Sequence, residues 1–451
     1  MDYDVVVIGC GPSALSFIKA LRELYPEKKV LVIRKSRRAI IPCAIPYIIG
    51  GLKGIDNIVV DDSIYSQLSV ELVVDEVIDV DRNRKIVKTR DGHEIRYKKL
   101  VIATGTSPIK IPIDGIDLKN VVFVSKEYDA LKEAYDVLSK SKEIVIIGAG
   151  FVGLEFADDL ADDRKISVVE ILDEVLPLSF DNEFGVLARN ELERKGVRFY
   201  LGRSVSKIVG SGRVEKVILS DGTELKADAV LISIGVKPNS ELAAKMGLAV
   251  DDYGHIIVDD YMRTTDPDIL AVGDVAQRKD FMFNKPTKAY FAHLAIRDGF
   301  IAAMNIFSPG RTYKNVEVLP VFATKIGNIT LASAGIIEKV ANSVGMEIIP
   351  VIFEVENRHP PKLPDARKML FKAIFEKTTL RLIGAQIAGP ESVVEIMNSI
   401  AHVIQLELTA YQIINLQYAT HPLVTSSPSN HPLRRAAYEA IMLKDKLCRE
   451  I

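Results

Sequence analysis

Two copies of one glycine pattern, 139 residues apart, constrain the fold of this chain more than any other feature. The first copy is residues 9–14 (GCGPSA) and the second is residues 148–153 (GAGFVG). Each copy follows an apolar run typical of a buried strand and precedes a segment with helical periodicity, 15–24 or 154–160. Glycines at this spacing allow a tight turn and bring a pyrophosphate close to the N-terminus of the following helix. One such pattern is weak evidence, but two predict that the chain binds two nucleotides.

A second repeat supports a duplicated architecture. Residues 76–105 and 206–235 match at an offset of 130 residues, and both contain alternating apolar positions around an Asp-Gly pair. Asp-Gly between two alternating segments is a strong signal for a β-hairpin. Both copies then end in an apolar strand that finishes at a glycine, Gly105 or Gly235. Each half is therefore predicted to form a βαβ nucleotide-binding unit followed by a small β-meander.

Composition excludes several classes of protein. The 451 residues suggest about three domains. With 58 basic and 60 acidic residues, the net charge of −2 gives no electrostatic case for binding nucleic acid or an anionic membrane. No apolar run approaches the ~18 residues of a membrane helix, and an N-terminus that enters a strand at once predicts no signal peptide. Three scattered cysteines predict a reducing cytoplasm and no disulfide framework, and no metal site is predicted.

Together these motifs resemble those of the pyridine nucleotide–disulfide oxidoreductases, in which one chain binds FAD and NAD(P)H. Ala103-Thr104-Gly105 resembles the family's ATG motif, where the chain crosses between the two nucleotide domains. Residues 265–274 resemble its second FAD motif, in which Asp274 would accept a hydrogen bond from the flavin ribityl chain. The resemblance covers nearly all of the chain. It implies an α/β fold with two Rossmann-like dinucleotide-binding domains and a C-terminal α+β dimerisation domain that forms a homodimer.

The predicted domains follow from the repeat and from this resemblance. They are the FAD domain (1–114 and 249–320), the NAD(P)H domain (115–248) and the dimerisation domain (321–451). Helical periodicity over 284–306 closes the FAD domain. The last domain is predicted to contain four strands and then a helix, at 329–332, 348–354, 369–375, 380–385 and 390–403.

The resemblance assigns FAD to the first glycine pattern and NADH, with NADPH as an alternative, to the second. The residues expected to bind these cofactors are Gly9, Gly11, Ser13, Ala14, Arg34, Ala103, Thr104, Gly105, Gly148, Gly150, Val152, Gly153, Glu170, Gly235, Gly273 and Asp274. Glu170 stands where such units carry an acid that accepts from a ribose hydroxyl. Arg34 stands at the matching place in the first unit and departs from the family, because arginine cannot accept this bond. It could instead stack on adenine or contact phosphate.

A single cysteine, Cys43, carries the predicted redox chemistry. Glutathione and lipoamide reductases have CxxxxC here, whereas this chain reads PCAIPY over 42–47 and has Ile48 in the second cysteine's place. The thioredoxin reductase CxxC is also missing. Cys43 therefore resembles the single-cysteine branch of coenzyme A–disulfide reductases, NAD(P)H oxidases, peroxidases and persulfide reductases. A reactive thiolate needs a lowered pKa, for which Arg37, Arg38 and a helix starting near Pro46 are candidate causes. A buried structural cysteine is the alternative.

The resemblance implies a relay in which NAD(P)H reduces the flavin and the flavin passes two electrons to Cys43. Glu155 matches the glutamate that approaches the nicotinamide and the flavin, although a carboxylate there also suits the helix dipole. Tyr418 and His421, in the segment YATHP, match the region that reaches the partner's flavin as an acid or base. A merely solvated loop is the alternative for both residues. Cys448, three residues from the C-terminus, is expected to be an idle thiol.

Three classes of function remain open at this point. The chain could reduce a small disulfide or persulfide, notably that of coenzyme A. It could be an NADH oxidase or peroxidase that reduces O2 or H2O2, or a non-enzymatic redox-sensing or flavin-carrying protein. A ferredoxin- or rubredoxin-type reductase is a further alternative, and it would not need Cys43.

Overall fold

The computed structural model describes residues 2–307 and 313–449. Within them the helices are α1 (Pro12–Leu24), α2 (Ser63–Gln67), α3 (Tyr128–Lys140), α4 (Phe151–Leu160), α5 (Asn182–Arg194), α6 (Glu241–Lys245), α7 (Ala292–Asn305), α8 (Glu338–Ser343), α9 (Val393–Gln405), α10 (Ala410–Ile413) and α11 (Pro432–Arg449). Short 3₁₀ turns lie at Pro42–Tyr47, Ile55–Ile58, Gly273–Val275 and Pro428–Asn430. Among the helices so described, none combines the length and apolarity needed to cross a membrane.

The strands cover both glycine patterns, both meanders and the C-terminal region. They are β1 (Asp2–Ile8), β2 (Val30–Arg34), β3 (Glu71–Val74), β4 (Val77–Asp81), β5 (Ile86–Thr89), β6 (Glu94–Ile102), β7 (Thr106–Pro108), β8 (Val121–Phe123), β9 (Glu143–Ile147), β10 (Lys165–Val169), β11 (Arg198–Tyr200), β12 (Val205–Val209), β13 (Lys216–Leu219), β14 (Glu224–Lys226), β15 (Ala229–Ile232), β16 (Val236–Pro238), β17 (Ile269–Ala271), β18 (Arg278–Lys279), β19 (Pro286–Thr287), β20 (Val321–Ile326), β21 (Ile329–Gly335), β22 (Ile348–Glu356), β23 (Lys368–Glu376) and β24 (Leu382–Gly389).

Intrachain contacts group the residues into two compact units. One contains Met1–Ile144, Lys207–Val217 and Lys226–Val318, and the other contains Val145–Ser206, Ile218–Leu225 and Leu319–Ile451. The domain boundaries expected from the sequence remain predictions, because a division into two units does not resolve three domains.

The first unit is built on a seven-stranded sheet in the order β3-β2-β1-β6-β5-β4, with β17 also paired to β6. The strands β3, β2, β1, β6 and β17 run parallel, whereas β4, β5 and β6 form the antiparallel meander predicted from the sequence. The central strands β1 and β2 are apolar and buried over residues 5–8 and 30–33, as expected for strands covered on both faces. Helix α1 packs against α7 at this sheet.

In the other unit, the strands around the second glycine pattern lie in the order β11-β10-β9, with β10 and β11 parallel. The unit also contains an antiparallel sheet in the order β20-β21-β24-β23-β22. Helix α9 packs on β21 and β24, and α11 packs on β22 and β23. The four C-terminal strands and the helix predicted from the sequence are therefore confirmed, while β20 and α11 were not predicted.

Two predicted helices begin at other residues than expected. The helix expected over 284–306 starts only at Ala292, because Pro286 and Thr287 pair with β18 as a short hairpin. The helix expected near Pro46 is a 3₁₀ turn that already begins at Pro42, and proline suits that first position since its missing N–H has no partner there anyway.

Candidate active site

The first glycine loop is shaped by a close backbone approach. Gly9 has φ of +114°, and a Cβ on it would lie 2.1 Å from the carbonyl oxygen of Ala103. Gly11 caps the N-terminus of α1 without a side-chain hydrogen bond, and a Cβ there would meet no atom within 4 Å. The loop therefore leaves open space at the start of a thirteen-residue helix, where a pyrophosphate can bind backbone N–H groups.

The second FAD motif packs directly on this loop. Gly273 has φ of +79°, and a Cβ on it would lie 2.5 Å from Ser13 Oγ. A Cβ on Gly299 of α7 would lie 2.1 Å from the carbonyl oxygen of Ser13. The structure thus brings together Gly9, Ser13, Ala103 and Gly273, which the sequence predicted as one cofactor site.

Asp274 provides the test of whether this site fits a flavin nucleotide. Its carboxylate is largely buried, with 13% of the side chain exposed, and Lys126 Nζ donates to Oδ2 at 2.8 Å. The other oxygen, Oδ1, is buried and accepts no hydrogen bond from the described residues, and Arg278 Nη1 lies 3.7 Å from it. Buried acceptors are nearly always satisfied, so Oδ1 is suited to a ligand hydroxyl. This fits the predicted contact with the ribityl chain of FAD.

Lys126 was not predicted from the sequence. It donates to both Asp274 Oδ2 and Thr106 Oγ1, each at 2.8 Å. Lys126 lies in no motif and is 148 positions from Asp274, so no spacing rule could have found it. It holds one carboxylate oxygen of Asp274 in place and leaves the other available.

The ATG motif is held by Asn239. The Asn239 side chain donates to the carbonyl oxygen of Thr104 at 2.9 Å, and its backbone N–H donates to that of Gly105 at 2.9 Å. In return, Thr104 Oγ1 donates to the Asn239 carbonyl oxygen at 2.7 Å. The strands after the two glycines, β7 and β16, pair antiparallel, so the two segments that follow Gly105 and Gly235 run side by side.

The second glycine loop repeats the geometry of the first. Gly148 has φ of +105°. Gly150 caps the N-terminus of α4, and a Cβ on it would meet no atom within 4 Å. Glu170 Oε2 accepts from the Ala149 N–H at 2.8 Å, and Oε1 accepts from the Leu172 N–H at 3.0 Å. Each carboxylate oxygen has a second lone pair, so Glu170 can still accept from ribose hydroxyls as predicted.

Four other residues that were predicted to bind the cofactors are packed against neighbouring parts of the chain. Ala14 and Gly153 are buried where α1 and α4 start, and Val152 is half-buried beside Gly153. Gly235 has φ of +105° and lies against the Ile109 side chain.

Arg34, which was expected to stack on adenine or contact phosphate, is bound by other residues of the chain. Its guanidinium is buried, with 1% of the side chain exposed, and it donates to both carboxylate oxygens of Asp62 at 2.5 Å. One of its nitrogens also donates to the Arg37 carbonyl oxygen at 2.7 Å. Both Nη groups are therefore bound within the protein.

Cys43 lies in the 3₁₀ turn Pro42–Tyr47, and its thiol is free and exposed. The structural alternative of a buried cysteine therefore does not describe it. The two arginines proposed to activate it have acidic partners, since Arg37 pairs with Asp129 at 2.7 Å and Arg38 pairs with Asp56 at 3.1 Å. Both guanidinium groups also lie over the ring of Tyr128.

Glu155 lies on α4 and accepts from Thr324 Oγ1 of β20 at 2.8 Å. This contact fixes the carboxylate within its own unit. The predicted approach of Glu155 to the nicotinamide remains a prediction.

In the C-terminal region the structure groups Tyr418 with His431, not with His421. The rings of Tyr418 and His431 stack with centroids 3.8 Å apart, and Tyr418 Oη and His431 Nδ1 are buried without a hydrogen-bond partner in the described residues. Burial, together with the charge of Arg434, lowers the pKa of His431 to about 4. His421 is exposed, and its Nδ1 accepts from the Leu423 N–H at 3.3 Å. The side chain of Cys448 lies outside the described residues.

One acidic cluster was not predicted. Asp181, Glu183 and Glu338 each place a carboxylate oxygen within 4.8 Å of the others, as metal ligands do. Lys372 Nζ lies among them, at 2.9, 2.5 and 2.6 Å respectively. Gln386 Nε2 also donates to Asp181 at 2.6 Å. The cluster therefore surrounds an ammonium group that already supplies the positive charge.

Comparison with known proteins agrees with this geometry. The model of the family described as pyridine nucleotide-disulphide oxidoreductase matches residues 3–299, and its dimerisation domain matches residues 321–431. An NADH oxidase of Methanocaldococcus jannaschii is 31% identical over 97% of this chain and 98% of its own length. An NAD(P)H coenzyme A polysulfide/persulfide reductase of Pyrococcus horikoshii is 30% identical over 87% of this chain and 88% of its own.

Solved structures agree as well. The NAD-dependent persulfide reductase of A. fulgidus superposes with a TM-score of 0.93 at 33% identity, over 99% of this chain and 84% of that chain. These matches confirm the predicted fold class, with two dinucleotide-binding domains and a dimerisation domain, and they confirm FAD and a nicotinamide nucleotide as the cofactors. The chain belongs to the pyridine nucleotide-disulphide oxidoreductase family.

Proposed function

We propose that this chain passes electrons from NADH, through FAD and Cys43, to a small disulfide or persulfide, with coenzyme A disulfide or persulfide as the substrate. The observation that carries the proposal is the exposed thiol of Cys43, which lies 34 positions after the first cofactor glycine, Gly9. The relatives named as persulfide reductases support it. When bound, FAD supplies a two-electron link between the nicotinamide and a thiol.

Cys43 would act as the nucleophile. Its thiolate attacks one sulfur of the substrate disulfide, forms a mixed disulfide and releases the first thiolate product. Two electrons then cleave the mixed disulfide, which restores the Cys43 thiolate and releases the second product. Because Cys43 is exposed and in a short turn, a substrate sulfur can reach it without rearrangement of a strand or helix.

Three further roles belong to the same proposal. Asp274 and the two glycine loops would hold FAD and NADH, and Glu170 would bind the ribose of NADH. Tyr418 or His421 would supply a proton to the leaving thiolate from the partner subunit of a homodimer. A reducing cytoplasm would suit the free thiols of Cys10 and Cys43.

The second candidate function is NADH oxidase or peroxidase. The near-full-length match to the NADH oxidase of M. jannaschii favours it. In that case the Cys43 thiolate would cycle through a sulfenic acid when it reduces a peroxide.

The decisive experiment compares acceptors and a thiol variant. NADH oxidation by the purified flavoprotein is measured with coenzyme A disulfide, coenzyme A persulfide, O2 and H2O2 under one set of conditions. Cys43→Ser should abolish reduction of the disulfide and the persulfide, while stopped-flow measurement should show that NADH still bleaches the flavin absorbance. Cys448→Ser serves as the matched thiol control and should leave both reactions unchanged.

The outcomes separate the candidates. Faster turnover with H2O2 or O2 than with either sulfur substrate would favour the oxidase. Reduction of the disulfide by Cys43→Ser at the wild-type rate would refute a redox role for this thiol and favour a ferredoxin- or rubredoxin-type reductase.

A further inference from the structure

The two nucleotide units can be aligned through one hydrogen bond that both contain. The Gly9 N–H donates to the Ile33 carbonyl oxygen at 2.8 Å, and the Gly148 N–H donates to that of Val169 at 2.9 Å. The residue after each acceptor therefore occupies the same place, at the end of the second parallel strand. That residue is Arg34 in the first unit and Glu170 in the second, so the same position carries opposite charges.

The first unit nevertheless has a carboxylate that binds the residue at this place. Arg34 is almost fully buried and binds both oxygens of Asp62 at 2.5 Å. Asp62 comes from a separate segment, immediately before α2, and 45% of its side chain is exposed. The buried arginine, which stands where the second unit has Glu170, thus holds a partly exposed carboxylate at the end of its side chain.

The charges of Arg34 and Asp62 both act on the first glycine loop. Burial raises the pKa of Cys10 to about 11, the charge of Arg34 opposes the rise, and the charge of Asp62 adds to it. Cys10 is the middle residue of the first glycine pattern, as Ala149 is of the second. Glu170 accepts from the Ala149 N–H, whereas Asp62 is held by the guanidinium of Arg34 and acts on the first loop through its charge.

The hydrogen-bonding chemistry of ribose favours Asp62 over Arg34 as its partner. A ribose diol at this position needs an acceptor for its hydroxyl protons, and a guanidinium group can only donate. Each oxygen of Asp62 keeps a lone pair after binding Arg34. We propose that Asp62, positioned by Arg34, is the carboxylate that binds the adenosine ribose of FAD at the first glycine loop. The inference rests on FAD binding there and assigns a residue outside the glycine motifs.

The test measures FAD binding, not turnover. Apoprotein of the full chain is titrated with FAD and with an analogue containing 2′,3′-dideoxyadenosine, and binding is followed by quenching of flavin fluorescence. The wild type should bind FAD about tenfold or more tightly than the analogue, the scale of a charge-assisted hydrogen bond. Asp62→Asn should bind the two about equally.

Matched variants separate this role from a structural one. Asp61→Asn alters the neighbouring carboxylate, which accepts from the Ser63 N–H at 2.8 Å, and it should keep the wild-type preference. The double variant Arg34→Gln/Asp62→Asn leaves no unpaired buried charge and should also bind FAD and the analogue equally.

Two results would overturn the inference. An Asp62→Asn protein that still prefers FAD over the analogue as strongly as the wild type would refute the role of Asp62 while leaving FAD binding intact. A wild-type protein that binds neither compound would refute the assignment of FAD as well.

Discussion

Replacing Lys372 by methionine should loosen the C-terminal sheet. Lys372 lies on β23 with 4% of its side chain exposed, and it binds Asp181, Glu183 and Glu338. Asp181 directly precedes α5 and is itself buried, so the ammonium group joins β23 to the start of a helix in the same unit. Methionine would keep most of the volume but leave the carboxylates without their cation.

The expected loss of stability depends on the interactions that each carboxylate keeps when Lys372 is replaced. Breaking a buried ion pair costs about 3–5 kcal/mol. Glu183 and Glu338 are about one-third exposed and can be solvated, and Asp181 keeps bonds from Gln386 and from the Lys339 N–H. We therefore expect the lower end, about 3 kcal/mol, which corresponds to about 150-fold in an opening equilibrium.

Native-state hydrogen exchange measures this opening in the intact protein. Amides of β23 and β24 should exchange about 150-fold faster in Lys372→Met than in the wild type. Lys368→Met is the matched control on the same strand, because Lys368 is exposed and pairs only with the exposed Glu354 among the described residues. Its effect should stay within about threefold. Equal exchange in the two variants would refute the structural role of the buried ammonium group.

The ion pair between Lys372 and Asp181 also predicts how the stability of this sheet depends on pH. Burial alone would raise the pKa of Asp181, but Lys372, the Lys339 N–H and Gln386 hold it below its usual value of 3.8. A depressed acid stabilises the fold above the unfolded pKa and loses that effect as the pH falls through the folded value. The difference in exchange between wild type and Lys372→Met should therefore be constant from about pH 5 to 8 and shrink below about pH 4.

Three further predictions concern the cofactor sites and the stacked histidine. Glu170 should make kcat/KM about tenfold higher for NADH than for NADPH, and Glu170→Gln should narrow this ratio; a wild-type preference for NADPH would contradict it. Lys126→Met should weaken FAD binding in a fluorescence titration, because Lys126 positions Asp274. The loss should be only about five- to tenfold, because Lys126 is partly exposed. Lys132→Met should have no effect. His431, whose pKa falls from 6.5 to about 4 on burial, should lower stability as the pH drops from 6.5 towards 4, because the unfolded chain binds the extra proton. In thermal melts over this pH range, His431→Gln should lose less stability than the wild type. Equal losses in the two proteins would contradict the lowered pKa of His431.

Much of the fold could be predicted because its signals are local. The positive φ of Gly9 and Gly148 is a backbone requirement that selects glycine at fixed spacing. The meanders follow from Asp-Gly turns between alternating segments. These patterns depend on neighbouring residues along the chain, so one sequence suffices to recognise them.

The contacts that complete the candidate site are different in kind. Lys126 reaches Asp274 across 148 positions, and Arg34 reaches Asp62 across 28, from segments with no periodic pattern. The stacking of Tyr418 on His431 depends on how the loop returns to α11. Such pairs depend on tertiary packing, and a single sequence contains no spacing that specifies them. For that reason the sequence showed that Arg34 departs from the usual acid but could not identify Asp62 as its partner.

The packing of α1 on α7 also has a consequence for synthesis of the chain. Gly299 lies against the backbone of Ser13 and Phe17, so this contact of α1 can form only after about 280 further residues have been translated. At roughly 5–20 residues per second, this takes about 15–60 s. During that time α1 lacks the helix that packs against it in the finished protein. The first cofactor loop is thus among the first parts of the chain to be made, but its packing is complete only after α7 has been translated.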